Sequence, residues 1–425
     1  MIIKVPQFPW YGDTLLELEI NDSWESIVLR MAGEEASKLT EQQIKEALVN
    51  PIGTPRLAEL AEGKKEVCII FDDLTRPTKA AKIIPYVLEE LKEGGVKDDN
   101  IRFIAALGLH GAMKLMDFQK KLGNDIPKKF LVFNHNPYDN CTYLGETSYG
   151  TPVYVNSEFM ACDLKVSIGC ILPHPTSGFG GGGKMIMPGI AHVESIVANH
   201  GKLCTISESG AMILDAWGRV DDNAQRLDME EIARMAGLDF SINALVNLRR
   251  DTVGLFVGDQ VKAHREGVKM ARKIYATEWA SEADIVVTNA YAKANEATLV
   301  VTLGSDMLKV SGGDLVITAN IPEGQICHYL VRSFGKDLGG RLWGKKAKLP
   351  PKVKRMYALG PYLDKAGLDW VGPVDQISIL DSWADILSEL KKNHPDGARV
   401  VIIPDGTLQY FPSRSLAQGA TIRGD

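Results

Sequence analysis

The chain has 425 residues, 45% of them hydrophobic and 24% charged, with a formal net charge of −6 at pH 7. That length exceeds one ordinary core and predicts two domains, and that balance excludes a disordered or fibrous chain. Lys and Arg are scattered, which excludes a surface built for nucleic-acid phosphates, and no run reaches the ~20 apolar residues that span a bilayer.

The N-terminus, MIIKVPQFPWYGDTLLELEI, alternates like a strand and lacks the continuous apolar run of a signal peptide. Cys68, Cys141, Cys162, Cys170, Cys204 and Cys327 form no CxxC pair, so reduced thiols in a cytoplasmic protein are expected. Residues 66–72 (EVCIIFD) read as a buried strand, 78–93 as a helix, 100–107 (NIRFIAAL) as a strand and 111–122 as a helix. Residues 130–133, 152–155 and 163–172 (DLKVSIGCIL) read as further strands, the last running straight into a glycine cluster. Residues 227–236 and 262–280 look helical, the second rich in charge. Strand candidates resume at 283–290, 314–319, 355–359 and 399–403, separated by helical stretches. The alternation predicts an α/β chain of two domains, 1–275 and 276–425, each with a largely parallel or mixed sheet flanked by helices.

The glycine cluster, PHPTSGFGGGGKMIMPG at 173–189, carries the most chemistry. Glycines tolerate positive φ and let backbone N–H groups approach a phosphate, so Gly180, Gly181 and Gly182 are candidate anion-binding positions. Gly178 to Lys184 also fits the GxxxxGK phosphate loop, but Met185 stands where a Ser or Thr would hold magnesium. A flexible glycine turn with a solvated lysine is the bland alternative.

The segment PHPTSGFGGGGKMIMPGIAHVESIVANH resembles the signature of the lactate racemase family, and FDDLTRPT at 71–78, GLH at 108–110 and LGETSYGTPVYVN at 144–156 agree with it in order and spacing. The resemblance implies a two-domain α/β fold with the active site in the cleft between the domains, and an isomerase that inverts C2 of a 2-hydroxy acid. It implies a nickel-pincer nucleotide, a pyridinium-3-thioamide-5-thiocarboxylic acid mononucleotide with Ni(II), tethered covalently to Lys184. Cofactor-synthesis proteins would then be transient partners, alongside the small-molecule substrate. The family's metal ligand matches His200, and a neutral imidazole suits Ni(II). Asp73, Thr75 and Arg76 match nucleotide-holding positions, with a forked guanidinium contact to phosphate. His110 and His174 match two general bases, since inversion needs proton-relaying groups on opposite faces of a carbon that becomes planar while hydride leaves and returns. Trp383 resembles a tryptophan beside the cofactor ring; an ordinary core position is the other reading.

The substrate-facing positions depart from the pattern. Gly111 follows His110 where the family carries an arginine, and NAYAKANEATLVVT at 289–302 lacks the expected glutamine and lysine, leaving Lys293, Asn295 and Glu296 as polar substitutes. These changes point away from lactate toward a larger or more polar acid, such as a sugar acid or a dicarboxylate. The competing readings are a nucleotide-triphosphate enzyme using the glycine loop, and a non-catalytic relative that binds the cofactor.

Overall fold

The computed structural model describes residues 1–203, 216–330, 348–369 and 371–413. The chain divides into two units, Glu35–Ile206 with Met212–Ile274, and Met1–Glu34 with the chain from Tyr275 onward.

The sheet of the first unit has six strands in the order Thr252–Gly258, Phe240–Val246, Leu164–Cys170, Val67–Asp72, Ile101–Ala106, Leu131–Asn134. All neighbours are parallel except the first pair. Val67–Asp72 and Phe240–Val246 are buried at every position, as strands covered on both faces must be. Parallel register sends the C-terminal ends of Leu164–Cys170, Val67–Asp72 and Ile101–Ala106 to one edge, where open α/β sheets place their ligands. The loops carrying His174, Asp73 and His110 therefore leave the sheet side by side.

The second unit has an all-parallel sheet, ordered Ile377–Leu380, Val353–Leu359, Gly313–Thr318, Ile285–Asn289, Arg399–Ile403, Glu25–Val28. Its last strand corrects the expected N-terminal domain of 1–275. Glu25–Val28 pairs with Arg399–Ile403, so the first 34 residues belong to the C-terminal unit. The Ile2–Gln7 and Thr14–Glu19 hairpin joins the same core through Val5 and Leu18.

Two strands, Phe240–Val246 and Thr252–Gly258, lie between the helices expected at 227–236 and 262–280, where the sequence pattern assigns no element. The helix expected at 78–93 is a 3-10 turn at Ala80–Lys82 followed by the helix Ile84–Glu93, and the one expected at 111–122 begins only at Leu115. Among the described residues no helix is long and apolar enough to cross a membrane.

Candidate active site

The first strand end turns on a buried lysine. Lys121 lies on the Leu115–Leu122 helix with no exposed side-chain surface, and its ammonium sits 2.5 Å from Asp72 Oδ1. It also donates to the carbonyls of Asp73 and Arg76, at 2.9 and 3.0 Å. Thr78 Oγ1 donates to the other Asp72 oxygen at 2.6 Å. Asp73, at the head of this loop, accepts from the Thr75 backbone N–H at 3.0 Å and from the Thr75 hydroxyl, and its Oδ2 lies 2.6 Å from His110 Nδ1. Burial would raise the Asp73 carboxyl, but His110, Arg76 and the Thr75 hydroxyl overcome it and hold it near about 2. Arg76 folds back on Thr75, donating to its carbonyl at 3.1 Å and its hydroxyl at 2.6 Å.

This geometry links Asp73 and Thr75 to His110. One oxygen of Asp73 accepts from Thr75 and the other faces His110, so the carboxylate orients the imidazole. A Nδ1–H donated to Asp73 leaves His110 Nε2 with a lone pair, the state a general base needs. Gly108, at φ +55°, turns the chain toward His110, and its N–H donates to Gly189 O at 2.8 Å, joining this strand end to the glycine segment.

That segment is the largest departure from expectation. Residues 175–187 are buried throughout, and two of the N–H groups expected to cradle an anion are spent internally: Gly180 donates to Leu172 O at 2.7 Å and Gly182 to Asn243 Oδ1 at 2.8 Å. Gly180, Gly181 and Gly182 are close-packed against the protein itself. A Cβ on Gly181 would meet Asn243 Oδ1 at 2.8 Å, and one on Gly182 would meet Gln260 O at 2.8 Å. The outward-turned groups are carbonyls. Arg226, fully buried, donates to Ser177 O at 3.2 Å, Gly181 O at 3.0 Å and Phe179 O, and His264 Nε2 lies 2.8 Å from Gly180 O. A phosphate loop needs open N–H groups, and those of Gly180 and Gly182 are taken.

What the segment presents is Lys184, in the 3-10 turn Gly182–Met185, with 9% of its surface exposed and its Nζ 3.4 Å from His174 Nε2. His174 heads a two-residue ladder, Pro173↔Phe179 and His174↔Gly178, and its Nδ1 accepts from the backbone N–H groups of Thr176 and Ser177 at 3.3 and 3.2 Å. His200 lies on the Val193–Leu203 helix, and burial first, with the proximity of Lys184 second, pushes it down to about 3. Its Nδ1 faces Ile196 O at 3.2 Å, one turn earlier. A proton there leaves Nε2 as a neutral donor, the tautomer a nickel ligand requires, so the residues fit the metal expected.

The remaining candidates lie in the other unit. Trp383 is corrected from a cofactor-stacking position to a core residue: it packs among Ile3, Val5, Leu18 and Ile386, and its indole N–H donates to Glu19 O at 2.7 Å. Lys293 and Glu296, offered as polar substitutes at the substrate-facing positions, are buried and paired at 3.1 Å just beyond the Ile285–Asn289 strand.

Sequence reasoning missed Lys121, Asn243, Arg226 and His264. Lys121 had a signal, since it falls on the apolar stripe of its helix with Phe118 and Leu122. His264 and His135 are buried as neutral donors to carbonyls. Burial leads in both, pushing His135 down to about 4 and His264 well below its ordinary value. A depressed folded value means the unfolded chain binds the extra protons, so stability falls as pH drops below about 6.5. We expect a loss of roughly 1.4 kcal/mol per pH unit from His135 down to about pH 4, with His264 adding a loss of the same sign. Urea unfolding at pH 7 and pH 5 checks this; equal midpoints would contradict it.

Residues 11–212 match the family description "Lactate racemase N-terminal domain". The chain is similar to lactate racemase of Thermoanaerobacterium thermosaccharolyticum, 33% identical over 95% of this chain and 88% of that protein. It is 29% identical to lactate racemase of Lactiplantibacillus plantarum over 74% of each. The solved lactate racemase apoprotein from T. thermosaccharolyticum matches 97% of this chain and all of its own at a TM-score of 0.73 and 26% identity. A Thermotoga maritima protein shares the fold, at a TM-score of 0.62 and 18% identity over 88% of this chain and 99% of its own.

Proposed function

The chain belongs to the lactate racemase family and is an isomerase, and we propose that it inverts C2 of a 2-hydroxy acid other than lactate, using a nickel-pincer nucleotide tethered to Lys184 and ligated by His200. The observation that carries this reading is the meeting of Lys184 and His174 at 3.4 Å on the sheet edge that also bears the carboxylate-backed His110. When bound, the nucleotide supplies the two-electron acceptor that takes and returns the C2 hydrogen.

The chain's own residues manage the proton. His110 Nε2, its tautomer fixed by Asp73, takes the hydroxyl proton of one enantiomer, as imidazole does near neutral pH. His174 serves the other enantiomer, and its Nε2 faces the tether, so a planar keto acid lying near Lys184 is within its reach. Arg76, on the loop held by Lys121, would make the forked contact to the nucleotide phosphate. Burial around Lys184 excludes water from the tether.

The substrate choice follows from Gly111, which follows His110 directly and has neither charge nor bulk. Loss of a carboxylate-gripping cation there leaves room for a substituent at C3 and removes the advantage a small monocarboxylate would have. Protein purified from cells able to make the cofactor should show a nucleotide-sized mass adduct on Lys184. In a chiral-chromatography panel of 2-hydroxy acids it should turn over a sugar acid or dicarboxylate at least about tenfold faster than lactate, roughly what one lost or gained contact changes. Lactate as the best substrate would overturn the specificity, and an adduct-free chain that still racemises would overturn the tether.

A further inference from the structure

At the opposite ends of the strands that lead to Asp73 and His174, two thiols meet. Cys68 is the second residue of the Val67–Asp72 strand. Its register partners are Arg102 on one neighbouring strand and Lys165 on the other, so the three side chains leave one face of the sheet. Cys162 stands just before the Leu164–Cys170 strand, and its chain is clamped to the start of the central one. Asp163 and Leu164 donate to Glu66 O at 2.9 and 3.1 Å, while Asp163 Oδ2 accepts from the N–H groups of Lys65 and Glu66, each at 3.1 Å. Cys162 O accepts from Lys165 Nζ at 2.8 Å. Both thiols are free and buried, and they interact side chain to side chain.

The two are not equivalent. Cys162 is 3% exposed and lies between exposed Ala161 and exposed Asp163, whereas Cys68 is fully enclosed. As a thiol, Cys162 donates to Glu158 O at 3.3 Å. Deprotonated, it gives up that contact but keeps the S–H of Cys68 and faces two cations. The Cys68 hydrogen bond, then Arg102 and Lys165, hold the Cys162 thiol below its ordinary value against burial and Glu66. Arg102 is fixed there by ion pairs to Glu66 and, at 2.9 Å, to Glu158. Burial pushes Cys68 well above its ordinary value. The nucleophile is therefore Cys162, and Cys68 keeps its proton until a leaving group can take it.

We propose that Cys162 and Cys68 are a peroxide-reactive pair, the first attacking and the second resolving, which closes a disulfide between the central strand and the turn before its neighbour. The Cys162 thiolate attacks one oxygen of hydrogen peroxide and breaks the O–O bond. The other oxygen leaves as hydroxide, takes a proton from solvent and becomes water, so Cys162 is left as a sulfenic acid. The Cys68 sulfur then attacks that sulfur, the S–O bond breaks, and the hydroxyl departs with the Cys68 proton as a second water. Two thiols lose two electrons in all, and one peroxide gains them. The chemistry needs neither Lys184 nor any cofactor, so it stands apart from the functional reading above.

Full-length protein, reduced and then freed of reductant, tests this with hydrogen peroxide near neutral pH. Residual thiols are blocked with N-ethylmaleimide and the peptides mapped over time. Cys68 and Cys162 should disappear together, as one linked peptide pair lighter by two hydrogens, at least about tenfold faster than Cys141 is oxidised. Cys141 is the more exposed thiol, but burial and Asp139 push it up to about 11, so exposure and thiolate character predict opposite orders. Cys68→Ser should leave a sulfenic acid on Cys162 that dimedone traps, and Cys162→Ser should leave Cys68 unoxidised over the same interval. Protein unfolded in urea should lose the preference for the pair. Oxidation of Cys141 as fast as Cys162 in the folded wild type overturns the proposal without any variant. So does oxidation of Cys162 that never links it to Cys68, and Cys68 oxidised at the wild-type rate in Cys162→Ser would show that Cys162 is not the attacking thiol.

Discussion

Replacing Lys121 with methionine is expected to cost about 3–5 kcal/mol of stability and to lower racemisation by about 100-fold or more in whatever protein still folds. The first effect is electrostatic. The Asp72 side chain is 7% exposed, and with Lys121 gone its buried carboxylate keeps only the Thr78 hydroxyl. The second effect is positional, because the same ammonium holds the carbonyls of Asp73 and Arg76, which bracket the loop that orients His110. A shift of about 1 Å in such a base is enough for the rate loss. The double variant Lys121→Met with Asp72→Asn separates the two. Removing the orphaned charge should recover most of the melting temperature while the loss in kcat/KM persists. If the double variant regains both, Lys121 is a structural counter-ion and nothing more; if the single variant loses neither, the assignment is wrong.

The strand end that carries Asp73 is legible in the sequence because parallel strands buried on both faces read as unbroken apolar runs, and Val67–Asp72 is of that kind up to its final aspartate. Phe240–Val246 is as buried but hides, since Ser241 and Asn243 break its apolar pattern. Both are satisfied inside the sheet, Ser241 by Ser167 at 3.2 Å and Asn243 by Ser241 at 3.1 Å, and Asn243 also fixes Gly182. Pairing of Glu25–Val28 with Arg399–Ile403 spans more than 370 residues, and no local pattern encodes it. The glycine run misleads for a different reason. Composition shows that the backbone comes close to something, and a phosphate is the usual something; here it is the protein's own carbonyls, side chains and a buried guanidinium. Arg226 escapes notice because the Ala224–Met235 helix buries Gln225, Arg226, Asp228 and Glu230, the residue types that ordinarily mark a solvated face.

Arg226→Met should therefore be among the most damaging substitutions in the chain, at about 3–5 kcal/mol, through loss of a buried ionic donor set. The guanidinium is placed by Asn223, which caps the helix by accepting from the Arg226 N–H at 3.1 Å and donates its amide to Thr176 O at 2.7 Å. Methionine matches the length of the side chain but donates nothing, so the carbonyls of Ser177, Phe179 and Gly181 each lose a partner where water does not reach. Glu230 keeps Arg265, so no carboxylate is orphaned and the damage is confined to the glycine segment. That segment sets the height of the turn carrying Lys184, and Gly182 has Gln260 O and the His264 ring against it, leaving the backbone little room to relax except by moving the turn. We expect the folded fraction of Arg226→Met to accept the cofactor poorly, with the mass adduct on Lys184 reduced at least about tenfold relative to wild type expressed in parallel, as a displaced reacting group predicts. Circular dichroism below the melting transition confirms that the measured molecules are folded. A variant that melts early yet carries wild-type adduct would show that Arg226 stabilises the loop without setting the position of its lysine.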